Sequence, residues 1–310
     1  MKYTRIVFIF AILIGGSAGG ALAYRYQGQL QRLRQERLEL ERKRAAWSGL
    51  KQEVWREVRQ FPGESGIWIE DLDTGWTTTH QPARLFPAAS VVKVPIMAAC
   101  FQAVQEGRLR LEEPVVLHGF DKVYGSGRLK AAPNGSSYTV EQLIELMITK
   151  SDNTAANLLI KKLGFDALNG SFRGMGLTQT QLSRKMMDFS QRKHGVENYT
   201  TAQDIALALR KLYRRQLISP EVSDRCLELL KRQAINDRIP ALLPPGTVVA
   251  HKTGLEKGVC HDSGIVFTPD GNYLVCVLTS SRMKTAKRAK QFIARIAYRV
   301  HEYKTESAGS

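Results

Sequence analysis

Ser90 and Lys93 stand three residues apart in the stretch Phe86–Pro95, where an extended pattern gives way to a helical one. Side chains at positions i and i+3 of a helix share one face, so the lysine amine is expected within hydrogen-bond reach of the serine hydroxyl. A serine hydroxyl is a weak nucleophile, and a neighbouring amine that accepts its proton can activate it. The helix N-terminus would also favour negative charge beside Ser90. The pair therefore predicts a serine nucleophile with a lysine as its base.

Two more motifs follow in the order that one known signature requires. They are Ser151-Asp152-Asn153 and Lys252-Thr253-Gly254, and the three motifs together are the signature of class A β-lactamases and penicillin-binding proteins. The sequence resembles the class A β-lactamase family from about Gly66 to Tyr303. The match also includes Phe86-Pro87, the run from Ser151 to Asn157, His251 before Lys252, and Gly258. This resemblance implies a serine that β-lactams acylate, in a fold shared with cell-wall D-alanyl-D-alanine peptidases.

The resemblance also implies a role for each motif residue. Ser90 is the nucleophile and Lys93 the leading candidate for its base, while Ser151 relays a proton to the departing nitrogen, since a hydroxyl both donates and accepts. The lysine of the third motif, Lys252, provides positive charge for catalysis and for the substrate carboxylate. The remaining residues contact substrate: Asn153, Thr253, Gly254 and, as a wall of the cleft, Tyr124.

The oxyanion hole is expected to consist of the backbone N–H groups of Ser90 and Leu255. Donors of this kind often contribute about 3 kcal/mol each to transition-state stabilisation. Gly254, just before Leu255, would let the strand backbone approach a ligand closely because glycine has no Cβ.

One loop departs from the family pattern. The family has Arg-x-Glu-x-x-x-Asn, whose Glu and Asn hold the hydrolytic water, whereas here the matching stretch runs from Arg184 to Ser190. Met186 stands at the position of the Glu, and Ser190 at the position of the Asn. Asp188 is the nearest acid, and it would reach the cleft only if the loop shifted by two residues. The sequence therefore predicts acylation with slow deacylation.

The pattern of elements predicts an α/β (α+β) fold of the β-lactamase and D,D-peptidase type. Strands are expected at 66–71, 76–79, 247–252, 258–267 and 273–279, so both chain ends contribute to one antiparallel five-stranded sheet. Helices are expected at 90–107, 139–150, 153–163, 201–213, 220–233 and 284–303. Those in the middle of the chain would form an all-helical lobe, with the site between the lobe and the sheet.

The N-terminal 45 residues precede this domain. Nineteen residues without charge, Ile6 to Tyr24, follow Lys2 and Arg5, and they are interpreted as a signal anchor, or as a signal peptide cleaved after Ala23. Residues 25–45 are expected to form a charged helical stalk, residues 46–304 the serine hydrolase domain, and residues 305–310 a disordered tail. The domain is accordingly expected outside the cytoplasm, attached to the membrane or secreted.

Composition limits the partners and cofactors. The net charge of +16 fits a surface that faces anionic lipid or cell-wall polymer, and no nucleic-acid motif accompanies it. Four widely spaced cysteines without histidines at metal-binding distance argue against zinc. No metal and no cofactor are expected, and the chain is expected to be a monomer.

Three functions remain open from the sequence. The first is an exported β-lactamase-type hydrolase that opens the β-lactam amide. The second is a cell-wall D,D-peptidase or acyl-transfer enzyme acting on D-alanyl peptides. The third is a protein that binds penicillin or peptidoglycan without hydrolysing it.

Overall fold

The computed structural model describes residues 17–282 and 286–308. Most of the apolar segment predicted at 6–24 therefore lies outside the described residues. Within the two described ranges, no helix combines the length and the apolar character needed to cross a membrane.

A five-stranded antiparallel sheet forms the centre of the domain, in the order β2-β1-β9-β8-β7. The two N-terminal strands pair with the last strand of the chain, so the sheet joins both ends of the domain. This arrangement confirms the fold predicted from the sequence. The strands are β1 (Glu64–Asp71), β2 (Thr77–His80), β7 (Val248–Glu256), β8 (Val259–Phe267) and β9 (Tyr273–Ser280).

Two small ribbons complete the strands. In one ribbon, β3 (Phe86–Pro87), which lies just before Ser90 along the chain, pairs with β6 (Tyr199–Thr200). The other ribbon pairs β4 (Pro114–Val116) with β5 (Ser137–Thr139). The first ribbon joins the segment before the nucleophile to a distant part of the helical region.

Nine helices surround the sheet in the described residues, namely α1 (Ser17–Gln60), α2 (Lys93–Gln105), α3 (Val140–Thr149), α4 (Asn153–Leu163), α5 (Phe165–Gly174), α6 (Phe189–Lys193), α7 (Ala202–Tyr213), α8 (Pro220–Lys231) and α9 (Lys287–Ala308). Side-chain caps begin several of them: Thr139 forms a capping box with Gln142, and Asp152 accepts from the backbone N–H of Ala155. Such caps satisfy N–H groups that the first helical turn leaves unpaired. The short helices α5 and α6 were not predicted.

Two apolar cores lie on opposite faces of the sheet. One contains α2 to α4 and the rest of the helical lobe, and the other contains α9 and the C-terminal part of α1. Along α1, the side chains from Tyr24 to Ala45 are mostly exposed, whereas Trp47, Leu50 and Val54 are buried against the domain. The helix is continuous across the boundary between the predicted stalk and the predicted domain.

The C-terminal ends of β7 and α9 lie further along the chain than the sequence predicted. Strand β7 extends to Glu256, so the whole Lys-Thr-Gly motif and Leu255 lie on one regular edge strand. At the other end, α9 continues to Ala308, so residues 305–308 of the predicted disordered tail are helical. The Thr305 hydroxyl donates to the carbonyls of His301 and Glu302, and no Gly or Pro interrupts the sequence before Gly309.

Candidate active site

Ser90 lies in a short 3₁₀ turn, Ala89–Val92, that leads directly into α2. It borders a cavity of about 410 Å³ together with Gly125, Asn153, Met186 and Leu255 among others. The two lobes of the fold meet at this cavity, as the sequence predicted.

Backbone strain is concentrated around this cavity. Six non-glycine residues in the described ranges have positive φ, and three of them are Ala89 (+43°), Ser151 (+53°) and Met187 (+65°). Such conformations cost on the order of 1–3 kcal/mol each and persist only where surrounding structure enforces them. They flank the nucleophile, the second motif and the loop that carries Met186.

Lys93 is completely buried at the base of the site. Its Nζ donates to the Ser151 carbonyl and to Asn153 Oδ1, both at 2.7 Å, and lies 3.4 Å from Ser151 Oγ. No hydrogen bond joins it to Ser90 within residues 17–282 and 286–308, because the amine is drawn toward these oxygens of the second motif. Catalytic hydrogen bonds are often long in free enzymes and shorten once substrate binds.

The surroundings of Lys93 favour its neutral form. Burial lowers the pKa of Lys93 to about 7, although the carboxylates of Asp152 and Glu256 act in the opposite direction. A neutral amine has two N–H donors and one lone pair. Because the two strong hydrogen bonds occupy the two donors, the lone pair remains available to accept a proton from a serine hydroxyl.

Lys252 also contacts Ser151. Its Nζ is 2.9 Å from Ser151 Oγ and 3.1 Å from the Thr253 carbonyl. Burial, followed by the positive charge of Lys93, brings the pKa of Lys252 well below its usual value. Ser151 therefore lies between two buried amines, an arrangement suited to passing a proton through its hydroxyl.

Asp152 organises the backbone opposite the nucleophile. One carboxylate oxygen caps α4, and the other accepts from the backbone N–H groups of Arg128 and Leu129. A Cβ at Gly127, where φ is +111°, would lie 2.3 Å from this carboxylate. The loop before Leu129 is thus fixed against the second motif through main-chain contacts.

Tyr124 contributes its backbone rather than its ring to this arrangement. Its carbonyl accepts a hydrogen bond of 3.2 Å from Asn153 Nδ2, while the residue is 87% exposed. The ring points to solvent, so its contact with substrate stays a prediction.

Strand β7 approaches the nucleophile closely at Gly254. A Cβ there would lie 3.3 Å from the Cβ of Ala89 and 3.2 Å from the His261 ring, so glycine permits this contact. The next residue, Leu255, borders the cavity opposite Met186. Because β7 is an edge strand, half of its backbone N–H groups face away from β8, which suits the predicted oxyanion hole.

His261 is a site residue that sequence reasoning missed. Its Nδ1 accepts from the Thr279 backbone N–H at 3.0 Å, and its Nε2 donates to the Pro87 carbonyl at 2.8 Å. These two bonds fix the tautomer and connect the sheet to the segment immediately before Ser90. Burial lowers the pKa of His261 to about 4, so the ring is neutral. No motif surrounds it, and only its position next to Cys260 on a buried strand could have suggested a role.

The methionine loop, defined here as residues 182–198, forms the other wall of the cavity. Asn157 holds Met186 by its backbone: Oδ1 accepts from the Met186 N–H at 2.7 Å and Nδ2 donates to its carbonyl at 3.0 Å. This contact fixes the register of the loop and places the buried Met186 beside the cavity that contains Ser90.

Asp188 caps a helix and does not border the cavity. Its carboxylate caps α6 by accepting from the Gln191 N–H at 3.1 Å, and the cavity is bordered instead by Met187 and Phe189. The shift of two residues that would bring Asp188 into the cleft has not occurred, because Asn157 fixes the register of the loop at Met186.

Comparison with known proteins agrees with this geometry. The β-lactamase enzyme family matches residues 49–304. The chain belongs to this family. A β-lactamase structure from Sphaerobacter thermophilus is 34% identical, with a TM-score of 0.77, and the alignment covers 84% of this chain and 98% of that one.

Two more relatives are a β-lactamase and a penicillin-binding protein. The extended-spectrum β-lactamase PER-1 of Pseudomonas aeruginosa is 26% identical over 72% of this chain and 76% of its own length. PBP-A, solved as a leucine-to-glutamate mutant in an acyl-enzyme complex with penicillin G, is 31% identical with a TM-score of 0.76, covering 84% of this chain and 97% of that one. The chain is therefore a serine hydrolase of the class A β-lactamase and penicillin-binding type.

The first prediction concerns Lys93 as a base. Because only its neutral form accepts a proton, acylation by a penicillin should rise with pH and be half-maximal near pH 7. Lys93→Arg keeps the charge at all accessible pH values and should slow acylation by about 10² to 10⁴. Stopped-flow measurement of acyl-enzyme formation between about pH 5 and pH 9 tests both points. A flat profile in the wild type would contradict the assignment.

The second prediction concerns His261 and stability. Its pKa is about 4 in the folded protein against an ordinary value of 6.5, so the unfolded chain takes up this proton first as the pH falls. The free energy of unfolding should drop by roughly 3 kcal/mol from this group between pH 6.5 and pH 4, and stay unaffected by it above that window. His261→Gln, which cannot titrate, should remove this part of the pH dependence in urea unfolding. Equal slopes for variant and wild type would refute it.

Proposed function

We propose that β-lactams acylate Ser90 rapidly and that the resulting ester is hydrolysed slowly. The observation that carries the proposal is the contact between Asn157 and the backbone of Met186. It supports the alignment that puts a thioether where the family has a carboxylate.

The proposed acylation step uses residues of all three motifs. Neutral Lys93 accepts the Ser90 proton as the hydroxyl oxygen attacks the β-lactam carbonyl carbon. The developing oxyanion lies toward the N–H groups of Ser90 and Leu255, and the C–N bond breaks as Ser151 donates its proton to the departing nitrogen. Ser151 then takes up the proton that Lys93 received from Ser90, since Lys93 Nζ lies 3.4 Å from Ser151 Oγ. Lys252 donates a hydrogen bond to Ser151, and the substrate carboxylate, once bound nearby, favours the charged form of this amine.

Deacylation lacks a comparable base in the methionine loop. Water must attack the Ser90 ester, and Met186 carries no group that accepts a proton at neutral pH. A positioned base contributes about 10² to 10⁴ in rate, or roughly 3 to 5 kcal/mol of barrier. The acyl-enzyme should therefore accumulate.

A second candidate is cleavage of D-alanyl-D-alanine peptides through the same acyl-enzyme. The cavity favours it because Ser90, Ser151 and Lys252 serve any amide whose carboxylate they can bind, while Met186 affects only the later attack by water. In this reading a β-lactam is a slowly released substitute for the peptide.

The third prediction tests the cycle. A penicillin should give a burst of one equivalent followed by a slow steady state, and Ser90→Ala should give neither. Met186→Glu combined with Ser190→Asn should raise the steady-state rate while the burst rate stays nearly unchanged. Lys185→Glu combined with Ser190→Asn places the new carboxylate one residue earlier, on an exposed position outside the cavity lining. It is the matched control and should leave the steady-state rate unchanged. Intact-mass spectrometry follows the ester, and D-alanine release from a D-alanyl-D-alanine peptide measures the second candidate reaction.

Three results would count against the proposal. Rapid wild-type turnover without a burst, abolished by Asp188→Asn, would mean that Asp188 reaches the water. Unchanged labelling of Ser90→Ala would remove the nucleophile assignment. An adduct that persists without any decay would indicate a binding protein instead of a hydrolase.

We further propose that the domain works as a monomer outside the cytoplasmic membrane, attached through the apolar segment 6–24 or released after Ala23. Cell-wall peptides and the antibiotics that resemble them occur on that side, and the net charge of +16 suits an anionic wall polymer. As the fourth prediction, protease added to intact spheroplasts should digest the domain. Digestion only after lysis would place it in the cytoplasm.

A further inference from the structure

Phe120 is an unusually exposed aromatic residue on the loop beside the cavity. Its side chain belongs to neither apolar core, and the residue is 79% exposed. Phe189, the next most exposed phenylalanine in the part of the chain that the structure describes, is 42% exposed. Because burial of a phenylalanine is among the larger single contributions to stability, folding alone does not explain this position.

The exposed ring is nevertheless held in one place by its neighbours. His118 stacks on it, with the ring centroids 5.1 Å apart and an interplanar angle of 12°, and Lys161 Nζ lies 5.3 Å from the Phe120 centroid. Lys161 also pairs with Asp121 at 3.3 Å, and the Asp121 carboxylate accepts from the His118 backbone N–H at 3.1 Å. A side chain that is ordered before binding loses less entropy when a ligand binds. We call His118, Phe120 and Lys161 the aromatic platform.

The loop that carries the platform, residues 118–131, also forms part of the cavity wall. Its middle is fixed to α4, because the Val123 backbone N–H donates to Thr154 Oγ1 at 3.1 Å. Two residues later, Gly125 and Ser126 border the cavity that contains Ser90. The platform and the catalytic cavity therefore lie on one connected surface.

The spacing along α4 relates the platform to the length of a cell-wall peptide. Asn153 borders the cavity, and Lys161 follows eight residues later on the same helix, which corresponds to about 12 Å. Four extended peptide residues span at most about 14 Å. A cell-wall peptide whose fourth residue forms the ester with Ser90 can therefore bring its first residue to the platform. In cell-wall polymer, that first residue is attached to an amino sugar.

The charge of the loop suits the same polymer. Residues 118–131 contain three basic side chains, Lys122, Arg128 and Lys130, and one acidic side chain, Asp121, which Lys161 already pairs. Arg128 and Lys130 are exposed. Cell-wall peptides carry carboxylates, so a basic surface beside the cavity favours their approach.

We propose that the aromatic platform binds the glycan of cell-wall polymer, with an amino-sugar ring against Phe120 while the attached D-alanyl peptide occupies the cavity. A sugar ring has an apolar C–H face that a flat aromatic ring covers. The inference rests on the second candidate reaction of the proposed function, because it names the polymer that carries the D-alanyl peptide. An anionic lipid surface also suits an aromatic ring among lysines, but lipid at Phe120 would cover the cavity next to it.

The first test measures binding of the full-length chain, in detergent, to purified peptidoglycan sacculi by sedimentation. Phe120→Ala should raise the dissociation constant by about tenfold, whereas Phe120→Trp, which keeps a flat aromatic ring, should stay within about threefold of wild type. Phe120 lies outside both cores, so these variants should fold normally. Tyr298→Ala is the matched control: it removes another exposed aromatic side chain, on α9, and should leave binding unchanged.

The second test compares D-alanine release from a pentapeptide attached to a disaccharide with release from the free pentapeptide. Phe120→Ala should lower the ratio of the two kcat/KM values by about tenfold, because only the first substrate reaches the platform. Acylation by benzylpenicillin, which is too short to reach Phe120, should stay within about twofold of wild type.

Sacculus binding that Phe120→Ala leaves within about twofold of wild type, or that Tyr298→Ala weakens equally, would overturn the inference and leave the proposed function intact. Binding to anionic phospholipid vesicles that Phe120→Ala abolishes, with sacculus binding unchanged, would also overturn it and identify a membrane contact. Absence of D-alanine release from both peptides in the wild type would remove the second candidate reaction. Sedimentation requires no turnover, so it would still decide whether the platform binds glycan.

Discussion

The site depends on Lys93, a buried lysine that has no salt-bridge partner among the residues that the structure describes. An ammonium in such a place is costly, and the protein responds with a pKa of about 7 for Lys93 and two carbonyl-type acceptors at 2.7 Å. The cost of burial is thereby converted into a base that is half neutral near physiological pH. Ser151 and Asn153 hold this amine at the buried base of the site.

The backbone around the Lys93 amine is strained at two positions, and neighbouring contacts hold it in that conformation. Ala89, next to the nucleophile, and Ser151, the first residue of the second motif, adopt positive φ values. His261 holds the segment before Ser90 through the Pro87 carbonyl, and Gly254 lets β7 lie against Ala89. Conformations of this kind persist because the neighbouring core over-determines them.

The two halves of the catalytic cycle are built on different parts of the fold. Acylation uses α2, the start of α4 and β7, all of which pack into the main core. The water-activating half belongs to a loop whose register is fixed by backbone contacts between Asn157 and Met186. Those contacts do not depend on the side chain at position 186, so under the proposed cycle we expect methionine in place of the family's carboxylate to leave acylation unaffected.

The sequence alone determined the three motifs, the five strands and the helices with strong caps, because each follows from local residue types and spacing. It also located the departure at Met186. Tertiary structure decided what lies between distant segments: the Lys93 amine is directed to Ser151 and Asn153, Asp188 caps a helix instead of reaching the cleft, and His261 joins the sheet to Pro87. Such contacts depend on burial and on distances between segments that are far apart in the chain. A local sequence pattern predicts neither of these two quantities.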